Sequence, residues 1–272
     1  MTREQFGRVE EICTFFRQFG GTDFPYLEHH FRRFRATVDE LCTGWSPSLG
    51  SRVLDVGAHW LHQTALLWSA GYDVTAVDLP STFETDWVRN AAARMDVDLV
   101  PVSNLSDPIE LARLADDSFD LMLFSEIIEH ITFNPVRFWS EIYRIVRPGG
   151  RIVITTPNYY SPYSRAWDLR RFFTGFGGGI TVDEILSQNT YAHHWKEFSA
   201  KELIYYFARL SPDFNTVKAR HFPSFDQVPP RIGRLARWAY ALKRRDPAQH
   251  ANIYLEVEIA RKDKGIVVVP GW

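Results

Sequence analysis

Between residues 51 and 158 the chain alternates short apolar runs with longer stretches of helical pattern, and this alternation restricts the fold more than any other feature. It builds βα units that feed a mostly parallel sheet. RVLDVGA (Arg52 to Ala58), DVTAVDL (Asp73 to Leu79), DLVPVS (Asp98 to Ser103), FDLMLFS (Phe119 to Ser125) and RIVITTPN (Arg151 to Asn158) read as five strands. The unbroken apolar run of the fourth marks a strand covered on both faces. Between them, Leu61 to Ala70 reads as a helix stopped by Gly71, followed by helices over Phe83–Arg94, within Pro108–Ala115 and over Pro135–Val146. Pro148-Gly149-Gly150 is a breaker before the fifth strand.

After residue 158 the rhythm is interrupted. Residues 159–195 read as a lid insertion with one helix and a glycine hinge at Gly175 to Gly179, a kind of segment that often carries specificity. Ser199 then stands as N-cap of AKELIYYFARL, followed by a strand near Phe214–Phe222, a helix around Pro230–Arg245 and a last strand, Ile253 to Lys262. The count is seven strands with helices on both faces, a Rossmann-like α/β fold. Two helical segments, Arg3–Gln18 and Tyr26–Leu41, form an N-terminal cap within residues 1–50, leaving 51–272 as the main domain.

Composition sets the outer limits. A 45% hydrophobic content fills a real core, and 31 Lys plus Arg against 33 Asp plus Glu leave a net charge of −2, which offers nucleic acid no general attraction. The two cysteines, Cys13 and Cys42, form no CxxC and fit a reducing, cytoplasmic address; no apolar run reaches membrane-spanning length. The basic residues between Arg231 and Arg245 read as one face of an amphipathic helix.

In such a sheet the ligand sits beyond the carboxyl ends of the strands, where their order reverses. The loop after the first strand runs Asp55-Val56-Gly57-Ala58-His59-Trp60-Leu61-His62. A dinucleotide fingerprint needs glycine at 59 and 62, and both are His, so pyrophosphate binding is disfavoured. Asp78 closes the second strand, where a carboxylate accepts both hydroxyl hydrogens of a ribose. A phosphate-free adenosine compound satisfies both facts.

VLDVGA (Val53 to Ala58), VDL (Val77 to Leu79), FDLMLFSEIIEHI (Phe119 to Ile131) and IVRPGGRIVITTPN (Ile145 to Asn158), in that order, resemble the class I S-adenosylmethionine-dependent methyltransferases, particularly those acting on small molecules and glycans. The resemblance implies S-adenosyl-L-methionine as cofactor. In its terms Gly57 and Ala58 let the backbone approach the methionine part, Asp55 helps hold its amino group, and Asp78 grips the ribose. Leu79 packs on adenine, Asn104 meets the adenine amino group, and Ser125 and Glu126 lie beside the sulfonium. The chain departs from the family where glycines give way to His59 and Leu61.

Methyl transfer to a hydroxyl is helped by a base, and His193 and His194, in NTYAHHWKEFS, are the candidates. Tyr159, Tyr160, Tyr163 and Trp167, after the fifth strand, are candidates to face the acceptor, together with His130. Arg33 and Arg35 are candidates to reach the cofactor carboxylate. Glu126, Glu129 and His130 do not have metal-ligand spacing and no HExxH is present, so no metal site is expected. The expected activity is O-methylation of a small molecule or saccharide. N-methylation, a binding protein that has lost catalysis and a nicotinamide oxidoreductase are the alternatives, and a homodimer is left open as the assembly.

Overall fold

FDLMLFS is the middle of the sheet. A computed structural model describes residues 3–22, 24–161, 182–187, 193–222 and 251–271. In it, strands β1 (Arg52–Val56), β2 (Asp73–Asp78), β3 (Asp98–Pro101), β4 (Phe119–Ser125), β5 (Val146–Pro157), β6 (Phe214–Phe222) and β7 (Asn252–Ile259) form one sheet. Its order is β3-β2-β1-β4-β5-β7-β6. The first five run parallel, and β7 is antiparallel to both β5 and β6. The chain leaves β1 in one direction and β4 in the other, so the switch point lies between these two strands.

Side-chain alternation explains the two layers. Val53, Leu121 and Leu123 belong to one core cluster with Phe6, Phe15, Phe16, Leu27 and Leu41. Leu54, Val56, Met122 and Phe124 belong to the other, with Phe138, Trp139, Leu203 and Phe207. Helices α1 (Val9–Arg17), α2 (Pro25–Gly44), α3 (His62–Ser69), α4 (Pro80–Phe83) and α5 (Asp86–Met95) precede β3. The N-terminal helices α1 and α2 therefore share a core with the sheet. Across the sheet lie α6 (Val136–Ile145) and the helix Ala200–Leu210. Ser199 caps the latter as expected: its Oγ accepts from Glu202 N at 3.2 Å, and Glu202 Oε2 accepts from Ser199 N at 2.9 Å.

Three local readings are corrected. The helix expected over Phe83–Arg94 splits at Thr85, which caps α5. The segment within Pro108–Ala115 is a 3₁₀ turn, Ile109–Arg113. Pro148-Gly149-Gly150 lies inside β5 as an irregularity in its pairing with β4 rather than ahead of the strand. Gly150 fits there because a Cβ would stand 2.8 Å from Arg147 O and 2.9 Å from Asp120 O. The glycine hinge, Tyr163, Trp167 and the helix around Pro230–Arg245 lie outside the described residues. No helix among the described residues is long and apolar enough to cross a membrane.

Candidate functional site

Two loops, one after β1 and one after β4, face each other across the switch point. In the first, Gly57 takes φ +81°, His59 +47° and Leu61 +62°, so alternate residues are left-handed although only one is glycine. A non-glycine residue there costs about 1–2 kcal/mol. The surroundings hold the loop in place. Gly57 N and Ala58 N donate to Val77 O at 2.8 and 3.2 Å, and His59 N donates to Asp78 Oδ2 at 2.6 Å. Leu61 is fully buried, and the His59 ring lies 4.2 Å from Trp60 and 4.9 Å from Tyr26 between centroids. The chain thus keeps the glycine path without the glycines.

His62 follows at the start of α3, buried between Phe16 and Tyr26, and neither ring nitrogen has a hydrogen-bond partner. Burial, with His59 and His30 nearby, lowers its pKa to about 3, so it is neutral.

The second loop is charged. Glu126 is also left-handed, φ +56°, and its N donates to Thr155 O at 2.8 Å. Its carboxylate accepts from Arg33 Nη1 at 3.2 Å and from Asn252 Nδ2 at 3.1 Å, tying α2 and β7 to the end of β4. Glu129 is fully buried; its Oε2 accepts from Thr156 Oγ1 at 2.8 Å. Burial, and the Glu126 charge nearby, push its carboxyl well above the usual range. The Glu129 carbonyl accepts from Trp195 N at 2.8 Å, which draws the segment carrying His193 and His194 onto this loop. The His194 and His130 rings then meet at right angles, 4.8 Å apart.

Between the loops lies a cavity of about 820 Å³. Of the residues named from the sequence, Gly57, Ala58, Asp78, Leu79, Asn104, Ser125, Glu126, His130 and Arg33 line it. Asp55 does not. It is buried behind the wall, accepting from Thr64 Oγ1 at 2.7 Å, and burial pushes its carboxyl up to about 7. Its placement does not support a direct grip on a cofactor amino group.

His193, His194, Tyr159, Tyr160 and Arg35 do not line the cavity either. His193 is buried with its ring against Trp195, Tyr159 and Tyr160 pack edge to face, and Arg35 binds Asp39 and the Phe6 carbonyl. Asn104 Oδ1 is engaged by Ser106 N and Oγ, so its amide nitrogen is the group offered to a ligand. The sequence reading passed over Tyr26, Phe34 and Asn252, whose role depends on where α2 and β7 dock. It also passed over the glycine-like backbone of His59, whose only signal was the family's glycine spacing.

A mostly parallel sheet with this strand order and a ligand-sized cavity over its switch point define a Rossmann-like fold. Residues 54–154 match the family model described as a methyltransferase domain, and this strand order is similar to that of the class I S-adenosylmethionine-dependent kind. A ubiquinone biosynthesis O-methyltransferase of Xanthomonas oryzae pv. oryzae is 28% identical over 150 residues, 55% of this chain and 56% of that protein. A demethylmenaquinone methyltransferase of Clavibacter sepedonicus is 30% identical over 109 residues, 40% of this chain and 42% of that protein. The chain thus spans about half the length of the curated relatives it matches.

Two solved structures share the fold. An S-adenosylmethionine-dependent methyltransferase from Archaeoglobus fulgidus has TM-score 0.50 and 16% identity, covering 91% of this chain and 99% of that one. The 1,6-didemethyltoxoflavin-N1-methyltransferase of Burkholderia thailandensis, with bound 1,6-didemethyltoxoflavin and S-adenosylhomocysteine, has TM-score 0.50 and 19% identity, covering 94% and 92%.

Proposed function

We propose that the chain transfers a methyl group from S-adenosylmethionine to an oxygen of a small molecule. The observation that carries this reading is the open cavity: His59 and His62 stand in its wall instead of filling it, beside backbone in the glycine path and a carboxylate at the end of β2. Ligand pockets span roughly 300–1,000 Å³, so about 820 Å³ accommodates a donor with an acceptor beside it. The loop carries His59 and His62 where a pyrophosphate fingerprint has glycine, which fits a sulfonium nucleoside better than a dinucleotide.

Asp78 would hold the ribose. Its Oδ1 already accepts from Leu79 N and Thr82 Oγ1 and its Oδ2 from His59 N, which fixes the carboxylate and leaves a lone-pair site on Oδ2 for a hydroxyl. Leu79 and the Asn104 amide would meet the adenine. Arg33 would meet the donor carboxylate, and Glu126, neutralised by Arg33, would lie near the sulfonium. The transfer is an in-line displacement, so the protein mainly aligns the two reactants and excludes water. The name of the Xanthomonas relative supports an oxygen acceptor and both relatives' names support one of small-molecule size, with a saccharide hydroxyl as the other candidate. His130, which lines the cavity, would be the imidazole nearest that acceptor, with His194 edge-on behind it.

Calorimetric titration with S-adenosylhomocysteine tests the reading. Wild type should bind it, and Asp78→Ala should weaken binding by about 1–3 kcal/mol, roughly 5- to 150-fold, through lost charge-assisted hydrogen bonds. Absence of binding to wild type overturns the assignment. Methyl transfer to a panel of phenols and sugars then identifies the acceptor.

A further inference from the structure

The loop after β4 carries a second constellation that the methyl-transfer reading leaves without a defined role. Glu129, His130 and His194 each offer one ligand atom, and these atoms lie within 4.8 Å of one another. Glu129 is fully buried and Thr156 occupies its Oε2, but Oε1 has no hydrogen-bond partner. A buried carboxyl oxygen without a partner is costly unless something binds it.

His130 supplies the second ligand. Its Nδ1 lies 3.0 Å from the His193 carbonyl oxygen, which only accepts, so Nδ1 carries the proton and Nε2 the lone pair. Nε2 stands 3.9 Å from Glu129 Oε1. Metal-ligating histidines are oriented in this manner, one ring nitrogen tied to a backbone carbonyl and the other turned to the ion. His194, edge-on to His130, has a buried Nδ1 without a hydrogen-bond partner. Bonds of about 2.1 Å would place tetrahedral ligand atoms roughly 3.4 Å apart, so an ion would draw the three side chains inward. Two imidazoles and a carboxylate suit zinc, manganese or cobalt better than magnesium or calcium.

We propose that Glu129, His130 and His194 bind one divalent transition-metal ion whose open position faces the cavity. His130 is itself a cavity-lining residue, which places that position toward the acceptor. If the proposed methyl transfer is correct, on which this further step rests, the acceptor hydroxyl binds the ion and releases its proton to water. The resulting alkoxide or phenoxide forms a bond to the methyl carbon while the carbon–sulfur bond breaks. Sulfur keeps that electron pair and becomes a neutral thioether.

The test is titration of the purified full chain with Co²⁺, followed by visible absorption and calorimetry, with S-adenosylhomocysteine binding measured on the same preparations. The expected result is one equivalent of Co²⁺ with d–d bands of a four- or five-coordinate site, and an affinity at least tenfold weaker in Glu129→Gln and in His194→Gln. Wild type without bands or heat overturns the site, as does Co²⁺ binding of unchanged strength in both variants. The wild-type titration is decisive even where a variant fails to fold. S-adenosylhomocysteine binding without Co²⁺ uptake fails the metal site alone; Co²⁺ uptake without S-adenosylhomocysteine binding supports the site and fails the methyltransferase reading.

Discussion

The two loops at the switch point solve the same backbone problem with opposite chemistry. After β1, Gly57, His59 and Leu61 turn left-handed among aromatic rings and neutral imidazoles; after β4, Glu126 does so among an arginine, an asparagine and buried carboxylates. The first loop is held through its backbone by β2, the next strand in sequence, with the Tyr26 ring packed on His59. The second is held by groups up to 126 positions away, since Asn252 donates to Glu126. A backbone turn can be fixed by the next strand in sequence, whereas a charged loop has to be assembled from distant segments, which here are α2, β7 and the segment with His194.

The strongest way to break this contrast is at the point where the loops touch. A Cβ on Gly57 would lie 2.3 Å from Ile127 Cδ1, in a backbone region that alanine disfavours. Gly57→Ala should cost about 2–4 kcal/mol in unfolding free energy, from left-handed strain plus repacking of Ile127. It should also abolish measurable S-adenosylhomocysteine binding. Denaturant unfolding and calorimetry check both, and unchanged values would show that the loops are not coupled.

Next is the neutral histidine of the first loop. His62 has a folded pKa near 3 against an unfolded value of 6.5, so the unfolded state takes its proton first. The stability this gives is complete above pH 6.5 and is lost as the pH falls toward 3. His62→Phe should therefore lose about 3 kcal/mol less stability than wild type between pH 7.5 and pH 4. Asp55, raised to about 7, works in the opposite direction over that range and cancels in the difference. Parallel acid limbs in the two proteins would mean that His62 is charged or already satisfied.

The smallest expected effect sharpens the account of the left-handed path. Asp96 ends α5 at φ +56° and is exposed, so Asp96→Gly should stabilise by up to about 1 kcal/mol, seen as a rise in melting temperature. His59→Gly relieves the same kind of backbone but also removes the ring contacts to Trp60 and Tyr26. A gain at 96 with no gain at 59 measures what those rings contribute.

The strands, the Ser199 cap and the cavity positions of Gly57, Asp78, Leu79 and Glu126 were legible because each follows from spacing within a few residues. Asp55 does not reach the cavity: side-chain alternation along β1 turns it to the layer of α3, where Thr64 meets it. His193 and His194 are adjacent in sequence, yet one turns to Trp195 and the other to His130. Neighbours in an extended segment point opposite ways, and the register comes from bonds to the Glu129 carbonyl.

The amino-acid order by itself determined the βα rhythm, the apolar central strands and the loops that must sit at their carboxyl ends, because periodicity and turn chemistry are local. Only the tertiary structure decided that His59 and Leu61 follow a glycine path, that Arg33 and Asn252 share one carboxylate, and that Glu129, His130 and His194 converge. Those outcomes depend on burial and on contacts between segments far apart in the chain, where the energy of a polar group is set by what surrounds it rather than by its neighbours in sequence.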